Sequence, residues 1–326
     1  MKKVLSLDEI KALINIPDLI RDIEYGFVSY SEGRATVPPV GFLPLEHPPG
    51  NVHIKYGYIS GDAYYVLKVA SAFPQNSNLG LPNNNGLMLV FDQKTGAVQF
   101  VLLDEGWLTD MRTAAAGAVA AKHLAAQHIH KIGIVGTGVQ ARLQLELLSD
   151  VVHCDKALVW GRNISKAEHM VAELKAKDSF KAWGIDLQAT ADLEALVAQC
   201  NLIVTTTPAE QPLIFSDQVK KGTHITAVGA DDYGKQELAS DLLDKADLVV
   251  ADSIVQCVDH GECCAAIRDH KIEQNAILEL GSVIKNPHLG RTNDEQITIA
   301  DLTGVAVQDI QIAKMVATAY QTLTNS

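Results

Sequence analysis

The chain has 326 residues, 47% of them hydrophobic and 20% charged, with 27 Lys and Arg against 39 Asp and Glu for a formal net charge of −12. This composition is that of a folded protein of about two domains, and the acidic balance argues against nucleic-acid or membrane-surface partners, which need a basic footprint. Five cysteines without a CxxC pair or zinc spacing read as reduced thiols of a cytoplasmic protein with no metal site. Asp8, Glu9 and Lys11 interrupt any signal-peptide core, and no apolar run reaches the ~18 residues of a membrane helix.

A helix is expected from about Ser6 to Glu32, broken near Pro17. Strands and turns follow up to about residue 105. Val52 to Tyr58 alternates, with Val52, Ile54, Tyr56 and Tyr58 on one face and His53 and Lys55 on the other. Tyr64–Ser71, Gly86–Phe91 and Gln99–Leu103 continue an antiparallel meander. Lys68 stands in the otherwise apolar Tyr65-Val66-Leu67-Lys68-Val69-Ala70; such a lysine is either an edge residue or a buried cation that needs an anion. Lys55 is a weaker case of the same kind.

Thr109 to Ala125 is an alanine-rich helix with Thr109 as its expected N-cap. Arg112 near its start opposes the helix dipole, and its planar fork suits a carboxylate. The alternative is an ion pair with Asp110 or Asp104. His53 and His123 are conceivable general bases, yet single histidines in such places are ordinarily packing or surface residues.

From about residue 130 short apolar runs alternate with amphipathic stretches, a βαβ rhythm that implies a parallel sheet covered on both faces. Its first strand, Lys131 to Val135, runs into Gly136-Thr137-Gly138-Val139-Gln140-Ala141 and then a helix. Gly136 permits the tight turn, Gly138 lets the backbone approach a pyrophosphate, and Ala141 allows close helix packing, so a dinucleotide is the expected ligand. The second strand ends in Trp160-Gly161-Arg162-Asn163. No acidic residue is there to bind a ribose 2′-hydroxyl, and Arg162 suits a 2′-phosphate, which favours NADP(H) over NAD(H). Thr205, Thr206 and the small residues Ala227, Val228, Gly229 and Ala230 close later strands, where a nicotinamide pocket forms in such folds. Asp231 follows them, either as a helix cap or as a carboxylate that binds an amine or moves a proton. Val307 to about Thr322 is the last helix.

Taken together, Leu67-Lys68-Val69, Phe73-Pro74-Gln75-Asn76, the run Leu103 to Gly117 with its Thr109-Asp-Met-Arg-Thr, Gly136 to Ala141, Val228 to Leu238 and Asp301 to Asp309 resemble the ornithine cyclodeaminase/mu-crystallin family. That family also includes an archaeal-type alanine dehydrogenase and ketimine reductases. The resemblance covers nearly the whole chain. It implies an α/β protein with a Rossmann domain, 116–304, inserted in an α+β substrate-binding and dimerisation domain, 1–115 plus 305–326, whose antiparallel sheet forms a barrel across a homodimer.

The resemblance further implies that Lys68 and Arg112 hold a substrate carboxylate. Val139 and Gln140 would contact the cofactor phosphates, Thr205 or Thr206 a ribose, and Ala227 to Ala230 the nicotinamide. Asn83 falls where a Thr lies near the cofactor, Asp231 is the acid/base or amine-binding carboxylate, and Thr303 and Gly304 close the pocket. One departure stands out. Pro38-Pro39 is followed by Val40-Gly41 where family members often carry an Arg, while Lys55 is an added cation, so Lys55 is expected to replace that Arg. The implied reaction is hydride transfer at the Cα of an amino or imino acid. Ornithine conversion to proline and ammonia leads, NADPH-dependent reduction of a cyclic ketimine such as pyrroline-2-carboxylate or alanine dehydrogenation follows, and a non-catalytic NADP(H)-binding crystallin-like protein is the remaining class.

Overall fold

A computed structural model describes residues 2–325. They form two compact units, one of the residues up to Arg112 with those from Val305 onward, the other Thr113–Gly304. The break inside the alanine-rich helix thus lies at Arg112/Thr113, where the sequence places it at 115/116. The first unit begins with β1 (Lys3–Leu5), α1 (Leu7–Lys11), α2 (Ile16–Ser31), β2 (Ala35–Thr36), β3 (Gly41–Glu46), β4 (Pro49–Ile59), β5 (Tyr64–Ala72), β6 (Asn84–Asp92) and β7 (Val98–Leu102), and α3 (Trp107–Leu124) runs across the boundary. The second holds β8 (Ile132–Val135), α4 (Val139–Leu148), β9 (Lys156–Trp160), α5 (Ile164–Ala176), α6 (Asp178–Trp183), β10 (Asp186–Thr190), α7 (Leu193–Gln199), β11 (Leu202–Thr205), β12 (His224–Ala227), α8 (Ser240–Lys245), β13 (Leu248–Ala251), α9 (Ile254–Cys257), α10 (Glu262–Arg268), β14 (Ile277–Glu279), α11 (Leu280–Lys285) and β15 (Thr298–Asp301). Helix α12 (Ala306–Asn325) returns to the first unit.

In the first unit a seven-stranded sheet has the order β1-β7-β6-β5-β4-β2, with β3 also on β4. It is mixed rather than purely antiparallel, because β1, which the sequence reading lacked, pairs parallel with β7. Helix α12 lies along α2 and across β4 and β5. The approach is close: a Cβ on Gly26 would sit 3.0 Å from Gln311 Cγ, and one on Gly57 would meet Thr36 O at 2.4 Å and Ile310 Cδ1 at 3.5 Å. Under these helices lie Ile59, Val66, Met88, Val90 and Leu102, all buried.

The first expected helix is two. Asn15 caps α2 by accepting from Asp18 N, and Pro17 sits in its first turn, where a missing N–H is harmless, so the break precedes the proline. Helix α3 likewise starts earlier than expected. Its cap is Asp104, whose Oδ2 accepts from Leu108 N at 2.9 Å, rather than Thr109. Glu105 and Gly106 take left-handed φ values of 55° and 88° to make that entry.

The second unit is a Rossmann-type sheet of eight strands in the order β10-β9-β8-β11-β12-β15-β13-β14, parallel at every pairing. Strand order reverses between β8 and β11, which is where doubly wound sheets bind ligands. The small faces of α3 fit tightly: a Cβ on Gly117 would lie 1.9 Å from Oε1 of the buried Gln144. Strands β10, β14 and β15 were not foreseen, because polar residues interrupt each of them: Asp186 and Gln188 in β10, Glu279 in β14, Thr298 and Asp301 in β15.

Candidate functional site

In the first unit, β5, α3 and α12 bring three charges together. Lys68 is 2% exposed, Arg112 5% and Asp309 1%. Lys68 Nζ donates to Asp309 Oδ1 at 2.9 Å. Arg112 Nε lies 3.0 Å from the same oxygen, but its N–H is not aimed along that line, and neither this nitrogen nor Asp309 Oδ2 has a hydrogen-bond partner. Arg112 Nη1 donates to Gln308 Oε1 at 2.7 Å. Lys55 is the register partner of Lys68 on the neighbouring strand, half-buried and close enough to act on both Lys68 and Asp309.

Burial, followed by the charge of Arg112, pushes the Lys68 ammonium down to about 7. Burial alone would raise Asp309, but Lys68, Arg112 and Lys55 outweigh it and hold the carboxyl below its usual range. Asp104, which caps α3, is pushed up by burial to about 6. Three cations therefore face two carboxylates, and unpaired polar atoms remain in the cluster. Such an arrangement attracts a further anion. Of the alternatives for Arg112, the ion pair is with Asp309 rather than with Asp110 or Asp104, and the face of β4 bearing Lys55 is the one covered by α12.

In the second unit, Gly136 adopts φ 133°, and a Cβ there would lie 2.3 Å from Thr206 Oγ1. Gly138 caps α4, and a Cβ on it would meet nothing within 4 Å. The backbone at the N-terminus of α4 is thus open to close approach, as an incoming phosphate requires. Ala141 is fully buried, and Arg142 Nη1 donates to the carbonyls of Thr137 and Gly138, bracing the turn. Val139 is exposed and Gln140 half-buried. Past β9, Arg162 is exposed, while Asn163 caps α5 by accepting from Ser165 N. These residues fit a dinucleotide.

The remaining candidates divide. Thr206 Oγ1 donates to Val135 O and is half-buried. Thr205 is buried and its hydroxyl is committed to Glu237. Ala227, Val228 and Ala230 bury their side chains beside the half-buried Gly229. Asp231 is 57% exposed in its side chain and pairs with Lys235 at 2.6 Å. Thr303 is buried, bonded through its N–H and hydroxyl to Asp252 Oδ1, and Gly304 N donates to Asp252 Oδ2. Asn83 lies in the other unit, its Oδ1 accepting from Ser77 N. His53 stacks obliquely near Phe42 and His123 is half-buried.

Several buried carboxylates were missed, Asp309 and Glu237 among them. Asp309 had a signal: it is the one acidic residue of the final helix and stands in its first turn. Glu237 accepts from Thr205 Oγ1, Thr207 N, Thr207 Oγ1 and Gly229 N, and burial raises its carboxyl despite these donors. Among the described residues no cluster of metal-binding type occurs, all five cysteines are free, and no helix is long and apolar enough to cross a membrane.

Comparison with known proteins gives a consistent result. The family model described as the ornithine cyclodeaminase/mu-crystallin family matches residues 1–322. An uncharacterised cyclodeaminase of Sinorhizobium fredii is 40% identical over 96% of this chain and 94% of its own length. Among solved structures, the Thermococcus litoralis Δ1-pyrroline-2-carboxylate reductase in complex with NADH and L-proline superposes with a TM-score of 0.90 at 28% identity, covering 98% of both chains. An archaeal alanine dehydrogenase dimer with bound NAD gives a TM-score of 0.90 at 32% identity over 99% of this chain and 97% of its own.

The charge cluster yields a stability prediction. Asp309→Ala leaves two buried cations without their anion and is expected to lower stability by about 3–5 kcal/mol at pH 6 in urea denaturation. The loss shrinks at pH 9, where Lys68 sheds its proton, and added acetate recovers part of it at pH 6 by occupying the vacated position.

Proposed function

The chain belongs to the ornithine cyclodeaminase/mu-crystallin family, and on that premise we propose that it is a nicotinamide-dependent reductase of an α-imino acid, with pyrroline-2-carboxylate as the first substrate to try. The observation that carries this reading is the buried cluster of Lys55, Lys68 and Arg112, whose cations outnumber their carboxylates. A substrate carboxylate would join Lys68 and Arg112 in the way Asp309 already does, which fixes the adjacent Cα. Orientation of this kind converts binding energy into rate. Bound nicotinamide supplies the hydride that Cα receives. The C=N bond loses its π pair to nitrogen, which takes a proton from water, and an amine results.

A second reading, ornithine cyclodeaminase, is favoured by the Asp231 carboxylate near the end of β12 and by the name of the Sinorhizobium relative. The exposure of Asp231 and its pairing with Lys235 favour the reductase, since cyclisation needs a carboxylate reserved for the second amine. Purified protein supplied with pyrroline-2-carboxylate and NADPH or NADH is expected to consume the reduced nucleotide and form proline. Proline and ammonia from ornithine with catalytic NAD⁺, and no reduction of the cyclic imine, would establish the cyclodeaminase instead. Nucleotide binding without turnover of any amino or imino acid would leave the crystallin-like class.

The cations give a pH dependence. Lys68 must be protonated to hold a carboxylate, and its free-enzyme value is about 7, so kcat/KM should fall as pH rises above 7. A bound carboxylate raises that value, so kcat should fall only at higher pH. Lys55→Met should raise KM ~10-fold and leave kcat nearly unchanged. An unchanged KM removes Lys55 from the site.

Arg162 supports NADP(H). It is exposed at the end of β9 and makes no hydrogen bond or ion pair among the described residues. Arg162→Ala is expected to raise KM for NADPH ~10-fold and to leave KM for NADH within ~2-fold. Equal effects on both would return the preference to NAD(H).

A homodimer completes the proposal. The face of the mixed sheet away from α12 carries a cross-strand row Tyr56–Leu67–Leu89–Val101–Val4, with Val4 61% and Tyr56 40% exposed, beside the stacked Tyr65 and Phe91. An apolar sheet face needs a cover. Sedimentation is expected to give a dimer, and Leu89→Asp a monomer.

A further inference from the structure

We propose that Glu237 is a positioning residue for the nicotinamide half of the nucleotide site, its carboxylate holding the loop after β11 against the loop after β12. The proposal rests on the nucleotide reading above and concerns the second unit alone. Oε1 accepts from Thr207 N at 2.6 Å and Thr207 Oγ1 at 2.7 Å, and Oε2 accepts from Thr205 Oγ1 at 2.6 Å and Gly229 N at 2.8 Å. One obligate N–H donor points at each oxygen. A carboxylate satisfies both, whereas a glutamine must turn its own NH2 toward one of them.

The carboxylate is seated from behind. Glu262 accepts from the backbone N–H groups of Glu237 and Leu238 at 2.8 and 3.0 Å, and both glutamates are fully buried. The two loops are also packed too tightly for a side chain: a Cβ on Gly229 would fall 2.1 Å from Thr207 O and 2.6 Å from Glu237 Cδ. Glu237 is thus the common side-chain acceptor for the two segments past the ends of their strands, where the backbone bond from Val228 N to Thr205 O also joins them.

The assignment to one half of the nucleotide follows from the strand order. In a doubly wound sheet the two mononucleotide halves lie on opposite sides of the switch point. The glycine turn, α4 and Arg162 belong to β8 and β9, on the adenosine side. Thr205 ends β11, and Thr207 and Gly229 follow β11 and β12, on the other side. Glu237 makes no hydrogen bond to any residue of the adenosine side. Its loss should therefore weaken the grip on the nicotinamide end and spare the phosphate cradle.

The test compares two ligands on one protein. Calorimetric titration of wild type and Glu237→Gln with ADP, which lacks the nicotinamide half, and with NADPH and NADH is expected to show ADP affinity within about 2-fold. The dinucleotides should bind at least ~10-fold more weakly to the variant. Parallel losses for ADP and the dinucleotides mean general loosening and overturn the proposal, as does no loss for either. If Glu237→Gln does not fold, Thr205→Val removes a single donor and should weaken dinucleotides roughly 3-fold with ADP unchanged; equal binding of both ligands by that variant overturns the proposal. A wild-type protein that binds neither ADP nor a dinucleotide overturns the nucleotide reading itself, which separates the two failures.

Discussion

Two cations cannot stay in a protein interior without an anion, and Asp309 is that anion for Lys68 and Arg112. The requirement shapes the whole first unit. The cations arrive on β5 and on the first turns of α3, so the helix carrying Asp309 must lie across the same sheet face. Glycines at 26 and 57 let it come close enough. The sheet therefore has one face committed to α2 and α12 and an apolar opposite face left for other contacts. The cluster is also poised rather than neutralised, because Asp309 Oδ2, Asp104 Oδ1 and Arg112 Nε have no hydrogen-bond partner. Desolvation keeps Lys68 near neutrality in its proton affinity, which ties anion binding there to pH.

The second unit solves a different problem. Parallel strands leave their carboxyl ends as loose loops, and a bound nucleotide needs those loops at fixed places. Here they are pinned by buried acceptors: Glu237 between the β11 and β12 loops, Glu262 beneath Glu237, and Asp252 holding Thr303 and Gly304. The acidic character of the chain is thus partly interior, spent on organising backbone rather than on repelling partners.

Features written in contiguous residues were legible in the sequence. The glycine turn declares itself because strand, turn and helix are adjacent, and its geometry follows the residue types at 136, 138 and 141. Lys68 and Arg112 were visible as charges in the wrong surroundings. What the sequence hid were partners. Asp309 lies 241 positions from Lys68, and its place in the first turn of the last helix marks it as unusual without saying which cation it meets. Glu237 reads as one more charged residue in a polar stretch until the fold brings Thr205, Thr207 and Gly229 to it. The cap of α3 was misjudged because a left-handed pair, Glu105 and Gly106, lets the helix start before the residue with the more familiar capping side chain. The inward face of β4 was ambiguous for the same reason as the partners: whether a face with a lysine is inside depends on what anion waits there.

The discontinuity of the first unit has a consequence for how the protein is made. A ribosome releases β4, β5 and the start of α3 long before it releases α12, with the entire second unit in between. During that interval Lys68 and Arg112 have no Asp309, and the sheet has no final helix to cover it. The inserted unit is contiguous and can complete itself as it emerges, whereas the first can close only after α12 is free. Synthesis thus passes through a state in which the contiguous second unit can be folded while the sheet of the first still waits for α12 to cover it.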